Sequence, residues 1–171
     1  MKNLKWVLCV YVVVLAFFSS CGYQFEGGGY INNDVTRVAV KVLENKSSET
    51  GAGIAFTNAL IQEILQKTDT KVVDESRATA VFEGTIKAIT FATLSRSTTE
   101  SVIERRVAAT VDLKLTNKDG DVIWSVKDFT SNEEYSVSED KITDESNKRE
   151  AVDKIAIRSA EKLISRMMTN F

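Results

Sequence analysis

The chain has 171 residues, 43% of them hydrophobic and 27% charged, a composition typical of globular proteins. Its formal charge of -2 gives no general attraction for nucleic acid. The absence of histidine removes the commonest acid/base group near neutral pH and the commonest metal ligand, which excludes much enzyme chemistry.

The first element is WVLCVYVVVLAFF, Trp6 to Phe18. It is shorter than the about 20 apolar residues that a membrane span needs. Lys2 and Lys5 precede it and Ser19 and Ser20 follow, the charged, apolar and small-residue order of an export signal. Cys21 directly after two small residues resembles the lipobox of bacterial lipoproteins, although Phe18 stands where leucine is usual. The only other cysteine, Cys9, lies in the segment that export removes, so the mature chain has no intramolecular disulfide. Residues 1–20 are therefore read as a removed signal peptide. Cys21 is read as the lipid attachment site, carrying a covalent diacylglycerol and an N-acyl chain, and no other cofactor is expected. Residues 21–34, with GGG at 27–29, are read as a flexible tether, and residues 35–171 as a single domain of a size that can bury a good core.

The strand pattern VTRVAVKVL, Val35 to Leu43, places Val38, Val40 and Val42 on one face. After ENKSSETGAG, Phe56, Leu60 and Ile64 at spacing four, with Ile61 and Leu65 alongside, predict an amphipathic helix over 56–65. KVVD reads as a short strand. TAVFEGTIKAITFATL alternates with Ala80, Phe82, Gly84, Ile86 and Ala88 inward before Ile89 and Phe91 reverse the phase, which predicts a bulge near Ala88. VIERRVAATVDLKLT then puts Val107, Ala109, Val111, Leu113 and Leu115 on one face. NKDG, Asn117 to Gly120, supplies a hairpin turn before Val122, Trp124 and Val126. The stretch Ser131 to Glu145 reads as a loop, and Val152, Ile155, Ala156, Ser159, Leu163 and Met167 mark a closing helix. This order predicts an α+β two-layer sandwich: a mixed or antiparallel sheet of about four to five strands with both helices on one face and the other face exposed.

Catalytic and metal signatures are missing. GGG at 27–29 and GAG at 51–53 lack the remainder of a nucleotide fingerprint, and no serine sits in a G-x-S-x-G elbow. The acidic pairs Glu133/Glu134 and Glu139/Asp140 lack calcium-loop spacing, so neither an enzyme nor a metal site is expected. The basic residues around the central hairpin, Lys87, Arg96, Arg105, Arg106, Lys114 and Lys118, with the hydroxyls of STTES between them, are candidates for gripping phosphates. Neighbours in a regular strand point to opposite faces, so Arg105 and Arg106 cannot both serve one site.

The run CGYQFEGGG, then VTRVAVKVLENKSSETGAGIAFTNALIQEIL, then ATAVFEGTIKAI resembles the lipopolysaccharide-assembly lipoprotein family, LptE, from Cys21 to about Leu115. The matching features are a Cys-Gly-aromatic start with glycines behind it, a V-x-V-x-V strand ending in EN, a Thr-Asn-Ala-Leu helix and the FEGTI strand. The resemblance implies an outer-membrane lipoprotein on the periplasmic side. It would plug the LptD β-barrel translocon and help deliver lipopolysaccharide to the outer leaflet, with no nucleic-acid partner. On that reading the candidate lipopolysaccharide phosphate contacts are Arg96, Arg105, Arg106 and Lys118. An adaptor of the CsgG or TolB-N-like kind, tethered in the periplasm and binding protein instead of glycolipid, also begins with a V-x-V strand, a gap and an amphipathic helix.

Overall fold

The structure is a computed structural model, and it describes residues 29–96 and 102–170. Along the chain run β1 (Arg37–Val40), β2 (Glu44–Asn45), α1 (Ala52–Lys67), β3 (Lys71–Val72), a 3₁₀ turn (Glu75–Arg77), β4 (Ala80–Arg96), β5 (Val102–Asn117), β6 (Val122–Ser136) and α2 (Lys141–Met168). The sheet order is β3-β1-β4-β5-β6, with β2 pairing β4 beyond the end of β1. β3, β1, β2 and β4 pair in parallel, whereas β4, β5 and β6 form a long antiparallel meander. Both helices pack on one face and bury one continuous core between themselves and the sheet. The expected α+β two-layer arrangement is therefore present, with six strands.

The first strand is shorter than its valine pattern. β1 leaves the ladder after Val40, and the chain pairs again only at Glu44, so the alternation resets: Val38 is fully buried, Val42 is 68% exposed and Leu43 is buried instead. The Leu43 N–H donates to Thr57 Oγ1 at 2.9 Å, and that hydroxyl donates to the Gly53 carbonyl at 2.6 Å. These bonds tie the break in the strand to the first turns of α1. The helix begins four residues before the predicted start and buries Phe56, Leu60 and Ile64 as their spacing requires, while Leu65 faces outward.

The predicted bulge falls at Lys87. The register passes from Ile86 opposite Val111 to Ala88 opposite Thr110, which moves the inward set from Ile86 to Ile89 and turns Ala88 toward the open face. All five inward residues read in β5 are buried. In the following turn, Asn117 Oδ1 accepts from the N–H groups of Asp119 and Asp121, and Gly120 takes φ 90°. Trp124 and Val126 are buried, but a register irregularity at the start of β6 leaves Val122 exposed.

The predicted loop from Ser131 to Glu145 is largely regular structure. β6 continues to Ser136, which lies opposite Glu104, and α2 starts at Lys141, so only four residues connect them. Two polar inward residues of this strand end are matched from α2. The hydroxyls of Ser131 and Ser159 meet at 2.7 Å in the core, and Arg158 Nη1 lies 2.5 Å from Glu133 Oε2. Asp140 caps α2 by accepting from the Thr143 N–H at 2.9 Å.

The two helices run parallel. Lys148 of α2 meets Glu49, just before α1, at 2.9 Å, and the C-terminal turns of both helices line a common cavity. The Gly29 carbonyl accepts from the Asp69 N–H just past α1. One end of the molecule thus gathers Gly29, the C-terminal ends of both helices and the 117–121 turn. The opposite end carries the end of β4, the start of β5 and the start of α2.

Candidate functional site

The sheet face away from the helices carries two linked groups of ion pairs. Glu83 on β4 bridges Lys114 of β5 at 2.8 Å and Lys41 at 2.9 Å, and Lys41 also reaches Glu75 at 3.0 Å. The hydrogen bond from Lys114, then that from Lys41, pulls the Glu83 carboxyl down to about 2. A second group links two bulges. The Lys87 ammonium lies 2.5 Å from Asp128 and 3.8 Å from Asp112, and Asp112 also accepts from the Asp128 N–H at 2.7 Å. Asp128 has a positive φ of 52°, and this contact holds it where the β5–β6 register jumps. Its hydrogen bond to Lys87 raises the ammonium pKa. Two of the hairpin lysines singled out by sequence, Lys87 and Lys114, are therefore engaged within the sheet.

Arg105 and Arg106 fall on opposite faces, as strand geometry requires. Arg106, placed between Ala92 and Glu134, lies on the open face, where its Nη2 and Nε sit 2.7 and 3.3 Å from one Glu134 oxygen. Arg105, between Thr93 and Tyr135, shares the helix-side face with Val107 and is half-buried. Arg96 pairs in the backbone with Val102 at the same end of the hairpin. Its side chain, the STTES segment and Cys21 lie outside the described residues.

Lys118 does not join these arginines. It sits in the turn at the other end of β5, thirteen residues from Arg105, a separation of about 40 Å at the rise of an extended strand. Adjacency in a hairpin sequence had suggested one basic group, but a 16-residue strand separates its two ends. Among the described residues, Arg105 and Lys118 have no carboxylate partner. Sequence reading missed Lys41 and Glu83, which meet only through the parallel pairing of β1 with β4.

Along the same open face stand the small side chains of Thr85, Thr90, Ala92, Ala108, Thr110, Thr116, Thr130 and Asn132, with Val81 and Val122 beside Thr116. Among the described residues no cluster of three or more acidic, cysteine or histidine side chains is arranged to hold a metal, and no helix is long and apolar enough to cross a membrane.

Two solved structures share the architecture. Lipoprotein B from Nitrosomonas europaea aligns with a TM-score of 0.57 at 16% identity, covering 84% of this chain and 88% of that one. Rare lipoprotein B from Shewanella oneidensis aligns with a TM-score of 0.53 at 17% identity, covering 75% and 94%. At these identities the likeness is one of fold. No curated protein sequence matches the chain significantly. The family model described as LptE, lipopolysaccharide-assembly, matches residues 35–167, nearly the whole of the folded region and well past the Leu115 limit of the motif resemblance. The chain belongs to the LptE family of non-enzymatic lipopolysaccharide-assembly lipoproteins.

Proposed function

We propose that this protein is anchored to the outer membrane through acyl chains on Cys21, fills the lumen of the LptD β-barrel and helps pass lipopolysaccharide to the outer leaflet. The observation that carries the reading is the family match over residues 35–167. The open sheet face supports it: many of its charges are paired in-plane and threonine, alanine and asparagine stand between them, which suits the polar lumen of a large barrel. Gly22 after the cysteine, rather than aspartate, accords with release to the outer membrane. Depleting the protein should leave the barrel misassembled; normal barrel assembly with normal surface lipopolysaccharide would contradict the proposal.

The lipopolysaccharide contacts belong at the far end of the β4–β5 hairpin, with Arg96 and whichever of Arg105 and Arg106 faces the ligand, because a guanidinium can pair with the phosphates of lipid A through two hydrogen bonds. Arg106 must give up Glu134 to do so, so Arg105 is the stronger contact. Arg105→Ala with Arg106→Ala should weaken lipopolysaccharide binding and make it less salt-sensitive, at about 1 kcal/mol or less per contact, with circular dichroism unchanged. Lys118→Ala should leave that binding unchanged. Equal affinity for the double variant and the parent would return both arginines to the role of solvated strand charges.

A further inference from the structure

We draw no further inference here: the strongest candidate, the uncharged outer face of α1 that carries Ile54, Asn58, Ile61 and Leu65, is a helix face without a partner among the described residues, and nothing in the structure shows what covers it.

Discussion

At the scale of single residues, two positions set opposing effects against each other. Gly53 lies in the first turn of α1, where alanine would ordinarily favour the helix by about 1 kcal/mol. A Cβ there would stand 2.6 Å from the Leu43 carbonyl oxygen, and this contact is with backbone, which cannot swing aside. The clash outweighs the propensity, so Gly53→Ala should lower stability by about 1–3 kcal/mol, read as a lower denaturant midpoint with an unchanged slope. Glu83 makes a test against pH. Its carboxyl is held at about 2, below the ordinary 4.5, so its ion pairs add stability that is fully present above about pH 4.5 and is lost as the pH falls toward 2. The side chain is 34% exposed, and screening limits the contribution to no more than about 1 kcal/mol. Glu83→Gln should therefore lower the melting temperature slightly at neutral pH, and the difference from the parent should vanish near pH 2 and shrink in high salt.

At the scale of elements, apolar periodicity carried the reading wherever a strand or helix has one apolar face. The β5 alternation, the α1 spacing and the phase reversal in β4 all correspond to buried faces, and the reversal revealed the bulge to within one residue. The end of β6 and the first turns of α2 were misread because their regularity comes from partners and not from apolar content. Strand register turns Ser131 and Glu133 toward the helices, where Ser159 and Arg158 answer them. The N-cap at Asp140 was the one local signal, hidden among other acidic and serine residues. In the same strand end, the Tyr135 hydroxyl is buried without a hydrogen-bond partner among the described residues. Tyr135→Phe should be neutral or stabilising by up to about 1 kcal/mol in thermal unfolding, since the ring and its edge-on contact with Phe91 are kept.

At the scale of the whole molecule, Gly29, where the described chain begins, and the far ends of β4 and β5, which carry the candidate arginines, lie at opposite ends. The basic residues named from sequence could not be sorted in this way, because their distribution along the meander depends on strand lengths that extend past the apolar pattern. Replacing Cys21 with serine should release the protein from its lipid anchor, and membrane retention without any barrel partner would contradict that role. The central claim, a lipopolysaccharide-assembly protein seated in a barrel, is tested most directly by mild-detergent purification of the tagged full-length protein from outer membranes. The account predicts one equivalent of a large β-barrel of the transport complex, retained at high salt. Recovery with a soluble periplasmic protein and no barrel would contradict it and favour the tethered-adaptor alternative.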